Sequence, residues 1–183
     1  KKVIIADTFG LLVDDAFADV AGLGTLNAAL VMFAYTFQIY FDFSGYSDMA
    51  RGLGRMLGFE LPENFHAPYA SKTVSEFYRR WHMSLGGWFK EYVYFPMGGS
   101  RCGKWRTILN LAVVWVLTGL WHGFGVNYLI WAGILFFCIA NEKLWLGKVM
   151  GRSRIICHIY VLFAILMSWL PFAAGDPSQI ICY

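Results

Sequence analysis

Charge is what this sequence has least of. Only 15% of its 183 residues are Asp, Glu, Lys or Arg, against about 25% in a soluble domain. With 58% hydrophobic residues, 19% of the chain aromatic and a mean hydropathy of +0.50, one soluble core could not hide the apolar surface. Lipid must cover part of it. The net charge of +3 is too small to argue for a nucleic-acid partner. The four cysteines, Cys102, Cys138, Cys157 and Cys182, show no C-x-x-C spacing. They read as small hydrophobes, and no disulfide set or metal site is expected. There is no H-E-x-x-H, and no Ser-His-Asp or Cys-His arrangement at nucleophile-elbow spacing. The glycines give no nucleotide fingerprint. Gly52-Leu53-Gly54-Arg55-Met56-Leu57-Gly58 is not G-x-G-x-x-G. Gly98 through Trp105 misses the P-loop pattern, because Trp105 stands where Ser or Thr must hold magnesium.

What is present is a series of long uncharged runs. Thr107 to Asn141 is 35 residues without Asp, Glu, Lys or Arg. A membrane-crossing helix needs about 20 apolar residues, so this run holds two shortened spans with a turn between them. Val20 to Phe41 is an uncharged run of 22 residues, and Ile155 to Gly175, closed by Asp176-Pro177, is one of 21. Four spans are therefore expected. Residues 3–19, with Asp7, Asp14, Asp15 and Asp19, read as a short interfacial segment. Residues 49–106 read as mixed amphipathic or re-entrant stretches, broken by Pro62 and Pro68. Within them Tyr69 to Leu85 resumes a helical pattern, with Phe77, Trp81 and Leu85 on one face. Four spans place region 42–106 and link 142–154 on one side of the membrane. Together they hold 13 of the 15 basic residues, which assigns that side to the cytoplasm.

Two histidines, His82 and His122, follow a tryptophan each, Trp81 and Trp121. His122 falls at the turn of the uncharged hairpin, approached from the outer side; His82 is approached from the inner side. An ionisable side chain at such depth is a functional candidate, and a neutral imidazole in a partly dry site is a competent base for a hydroxyl group. A backbone-bonded histidine at a helical hairpin would also fit. Gln38, Asp42 and Tyr46 recur every four residues and share one helix face, which suits a polar cavity or an aromatic interface belt. The basic loop around Arg101 suits either the phosphates of an acyl donor such as coenzyme A or simply positive-inside charge. His66 and His158 lack comparable company and read as structural.

Several long stretches carry a family resemblance. They are Gln38-Ile39-Tyr40-Phe41-Asp42-Phe43-Ser44-Gly45-Tyr46-Ser47-Asp48-Met49-Ala50, then Leu61-Pro62-Glu63-Asn64-Phe65, then Arg79-Arg80-Trp81-His82-Met83-Ser84-Leu85. Tyr94-Phe95-Pro96-Met97-Gly98-Gly99-Ser100-Arg101 and Gly119-Leu120-Trp121-His122-Gly123 complete them. In these the chain resembles the membrane-bound O-acyltransferases, above all the bacterial branch of alginate O-acetyltransferases and teichoic-acid D-alanyl transfer proteins. Tyr78, where Trp is commoner, is a small departure.

The resemblance implies an all-α, polytopic membrane fold of about four transmembrane helices with amphipathic or re-entrant helices. Residues 1–183 would be the C-terminal part of one such domain, with upstream helices and the extreme C-terminus lying outside this stretch. It implies catalytic roles for His122 and His82. Asp42, Tyr46, Trp81, Trp121 and Arg101 are the candidate substrate-binding residues beside them. No bound cofactor is implied; acetyl-CoA or another acyl thioester would be the donor substrate. The expected partners are the bilayer of the inner membrane and an extracytoplasmic acetyltransferase or polysaccharide-export machinery. D-alanyl transfer from a carrier protein, a non-catalytic scaffold and a transporter module are the other readings.

Overall fold

The computed structural model describes residues 1–19, 22–147 and 153–173. Outside them lie the expected start of the first span at Val20, Lys148 and Arg152 of the basic link, the Gly175-Asp176-Pro177 stop, and Cys182. The described residues are helical, apart from loops and one antiparallel pairing of Phe65 with Trp81. They divide into two compact units, Lys1–Asn64 and Phe65–Pro177.

In the first unit a wide helical turn, Lys2–Ala6, runs into α1, Asp7–Ala18, which packs against α2, Thr25–Met56. Val13, Val31 and Ala34 form the small core, covered by Phe9, Phe17 and Tyr35. Helix α2 extends 32 residues, well past the end expected at Phe41. Its second half carries polar and charged residues around the helix, but no proline, so the backbone ladder continues through it. What stops it is Gly58, whose φ of +82° suits a residue without a Cβ. There Gly58 N–H donates to Arg55 O (3.1 Å) and Phe59 N–H to Gly54 O (2.8 Å), the paired bonds of a Schellman motif.

The second unit begins with Phe65 and a short turn at Pro68–Ala70, then α3, Val74–Arg80, and α4, Met83–Phe89. After a wide turn and the Gly98-Gly99 loop come α5, Lys104–His122, and α6, Val126–Asn141, which continues as a wide turn to Leu146. Arg154–Ala173 is α7. Helix α6 packs between α5 and α7. Among the described residues, Val126–Leu146 and Arg154–Ala173 are long and apolar enough to cross a bilayer. Helices α2 and α5 fall outside that class, because Asn27, Gln38 and Asp42 in the first half of α2, and Arg106, Asn110 and His122 in α5, lower their hydropathy. Among the described residues the fold is helical, and two helices have membrane length and apolarity beside the four spans expected from the sequence.

Tyr69 to Leu85 is not one helical pattern. Trp81 is extended (φ −111°, ψ 127°) and His82 is left-handed (φ 46°, ψ 56°), so α3 and α4 are separate and Phe77, Trp81 and Leu85 share no helix face. Phe77 and Trp81 are both buried, yet their rings stack at 5.5 Å in a cluster with Phe65, Tyr69 and Trp169. Burial of the Trp81 ring and its pairing with Phe65 compensate the broken helix.

The α5–α6 hairpin closes through Gly123, Phe124 and Gly125. Gly119 makes its close approach possible: a Cβ there would lie 3.0 Å from the Tyr128 carbonyl oxygen and 3.1 Å from the Ala132 Cβ. Gly119→Ala is expected to lower thermal stability slightly, and Gly119→Leu to cost about 1–3 kcal/mol, the range for overpacking. Melting of the purified full-length protein in nanodiscs checks this; equal melting of both variants and wild type would show that the helices are not in contact there.

Candidate active site

Helix α5 ends on His122, and three glycine-rich residues later α6 starts, so the imidazole stands at the mouth of the hairpin. It is half-buried and ringed by aromatic side chains. Trp121 lies 4.8 Å away between ring centroids, Trp131 4.9 Å and Phe172 5.2 Å, all edge-to-face, with Tyr128 stacked at 6.2 Å. These rings come from α5, α6 and α7. His82, also half-buried, reaches the same place from the α3–α4 break and lies 5.7 Å from the Trp121 ring. One tryptophan is thus flanked by both imidazoles. Trp121 is 56% exposed, which leaves the two histidines an open side.

His82 is held there from behind. Trp81, which precedes it, is buried among Phe65, Tyr69, Phe77 and Trp169, and His66 N–H donates to Arg80 O at 3.0 Å. A non-glycine residue with positive φ is uncommon, though His is among the residues enriched there. Helix α3 is capped by Thr73, which accepts from Glu76 N–H at 2.9 Å, while Glu76 accepts from Lys72 N–H at 2.9 Å and from Arg80 at 2.7 Å. The Lys72 amide, followed by the Arg80 charge, holds the Glu76 carboxyl below the usual carboxylate range.

Below the histidines the cluster continues. Tyr78 packs edge-to-face on Trp115 (4.9 Å) and Trp131 (6.4 Å), and Trp131 stacks on Trp169 (6.4 Å). The Tyr78 hydroxyl faces the Trp131 indole N–H and Ser168 without a well-aligned hydrogen bond, and burial pushes its phenol well above the usual range.

Arg101 is exposed on the loop before α5. It lies on the loop leading into the first residue of that helix, whereas His122 is its last. The loop itself is fixed: Asn110 Nδ2 donates to Met97 O (3.1 Å) and Gly99 O (3.0 Å). At Gly98 (φ +98°) a Cβ would meet the Cys102 sulfur. Asp42 and Tyr46 belong to the first unit. Asp42 pairs with Lys2 and, with Gln38, Asp7 and Asp14, lines an open cavity of about 270 Å³; Tyr46 is 63% exposed. His158 has a backbone partner, its Nδ1–H donating to Ser71 O at 3.1 Å.

Tyr128, Trp131, Trp169 and Phe172 escaped the sequence reading, because an aromatic residue in an apolar run carries no sign of which ring it will face. Glu142 escaped it too, although it is the only acid between Thr107 and Arg154.

Residues 15–171 match the MBOAT, membrane-bound O-acyltransferase family, and the chain belongs to that family. It is 51% identical over 179 residues to the probable alginate O-acetylase AlgI of Pseudomonas aeruginosa, a match covering 96% of this chain and 34% of that protein. It is 42% identical over 131 residues to the peptidoglycan O-acetyltransferase of Helicobacter pylori (72% and 25%). It is 35% identical over 166 residues to the teichoic acid D-alanyltransferase of Bacillus subtilis (83% and 42%). The chain spans about a third of the length of the alginate relatives it matches.

Proposed function

We propose that the full protein is an inner-membrane O-acyltransferase. It moves an acetyl group from a cytoplasmic thioester, acetyl-CoA or another acyl donor, towards hydroxyls of an exported or cell-surface polysaccharide. The observation that carries this is the flanking of Trp121 by His82 and His122 at an open aromatic cluster. Identity with proteins named for alginate and peptidoglycan O-acetylation supports acetyl as the group and a glycan as its destination.

In this reading His122 takes the proton of the acceptor hydroxyl as its oxygen attacks the thioester carbonyl. The tetrahedral intermediate collapses, the C–S bond breaks, and the thiolate takes up the proton. His82 stabilises the charge that develops on the carbonyl oxygen or holds the donor. Trp121 shapes the passage beside the two imidazoles, Trp81 supports His82 from behind, and Arg101 meets the donor on the basic, cytoplasmic side. Helices α2, α5, α6 and α7 are the four spans, and residues 1–183 are the C-terminal part of one membrane domain. An extracytoplasmic acetyltransferase or the export machinery receives the acetyl group.

The test is base-labile acetyl on the exported glycan of the host, with the full-length gene present or deleted. Deletion is expected to bring acetyl to background, and plasmid-borne protein to restore it. If deletion removes ester-linked D-alanine and leaves acetyl intact, the second reading holds, for which the D-alanyltransferase relative speaks.

A further inference from the structure

Glu142 is a buried carboxylate, 7% exposed, at the C-terminal end of α6. Such a group is costly unless it is fully hydrogen-bonded. Its bonds cross 68 positions of sequence. One oxygen accepts Val74 N–H at 2.5 Å; the other accepts Ser75 N–H at 2.9 Å and the Ser75 hydroxyl at 2.6 Å. These donors are the first two residues of α3. With Thr73 capping Glu76 and His158 holding Ser71, the start of α3 is tied to both α6 and α7.

What α3 carries at its other end is His82. The helix is seven residues long, about 10 Å, too short to bend appreciably. Beyond it Trp81 is fixed by its pairing with Phe65, and His82 follows with φ at +46°. A side chain on backbone of that kind keeps its place only while the surroundings over-determine it.

We propose that Glu142 is a positioning residue for His82: it fixes the start of α3, and α3 as a short strut sets the imidazole beside Trp121. The proposal rests on the reading that His82 takes part in acyl transfer. Gln cannot replace Glu here, because both oxygens accept and the amide would turn an N–H towards a donor.

The full-length protein in nanodiscs, as wild type, Glu142→Gln, Ser75→Ala and His82→Ala, would be treated with diethyl pyrocarbonate. Modification of each histidine is followed by peptide mass spectrometry, beside kcat, donor KM and melting temperature. In Glu142→Gln, His82 is expected to react several-fold faster while His122 stays near its wild-type rate. The kcat is expected to fall by up to about 10²-fold, as misplacement by an ångström can cost. Ser75→Ala, losing one bond of three, should move His82 in the same direction by less. An unchanged His82 rate in folded Glu142→Gln overturns the proposal. If that variant does not accumulate, an unchanged rate in Ser75→Ala overturns it. If His82 becomes reactive but His82→Ala transfers at the wild-type rate, the positioning stands and the role of His82 in transfer fails.

Discussion

His122→Ala in the full-length protein is expected to lower acyl transfer about 10²- to 10⁴-fold at normal membrane abundance, the range a positioned general acid–base contributes. The alanine removes one of the two imidazoles beside Trp121 and leaves no other group in its place. Trp121, Trp131, Tyr128 and Phe172, the rings that touch it, offer no base. Because His122 is the last residue of α5 and half-buried, its loss should disturb rate far more than fold. The measurement is single-turnover transfer from a radiolabelled acetyl donor to the acceptor, with melting temperature recorded on the same samples. Unimpaired transfer by a folded His122→Ala protein would remove His122 from the chemistry and leave a scaffold that recruits a separate transferase.

The second large effect is on stability. Trp131 is 2% exposed and touches Tyr78, Trp115, His122, Trp169 and Phe172. Truncating a buried Trp to Ala costs about 3–5 kcal/mol in water-soluble proteins. Between membrane helices the transfer contribution shrinks, since lipid tails are as apolar as the core. The lost dispersion contacts remain, so Trp131→Ala should cost about 3 kcal/mol, the lower end of that range. Trp131→Phe, which keeps a ring in the cavity, should cost clearly less. Thermal unfolding of both variants in nanodiscs checks this. Wild-type melting by Trp131→Ala would mean that the ring cluster is not the centre of the packing. Because Trp131 contacts His122 directly, the alanine variant should also lose transfer activity in proportion to the mobility it gives that imidazole.

Some of this was legible in the residues. A stretch of 35 uncharged positions with Gly119, Gly123 and Gly125 near its middle admits little but a helical hairpin, and so His122 at its turn follows from length alone. Gly58 does not read as a stop in the sequence, because the polar residues after Phe41 read as the end of the span. Charged side chains do not by themselves end a helix; here a residue in left-handed backbone does. The break at Trp81–His82 was not legible. Phe77, Trp81 and Leu85 have helical spacing, and no proline or glycine stands between them.

Local pattern therefore determined where most of the helices lie, which runs are most apolar, and that His82 and His122 are candidates for the site. Whether those two meet was decided by tertiary structure. His82 faces Trp121 because Trp81 is drawn out of the helix to pair with Phe65, and because α3 is fixed at its start by Glu142 from 67 and 68 positions away. Periodicity reports only what lies within a few turns of the same helix. Contacts between distant segments leave no such trace, and it is these that bring both imidazoles to a single indole ring.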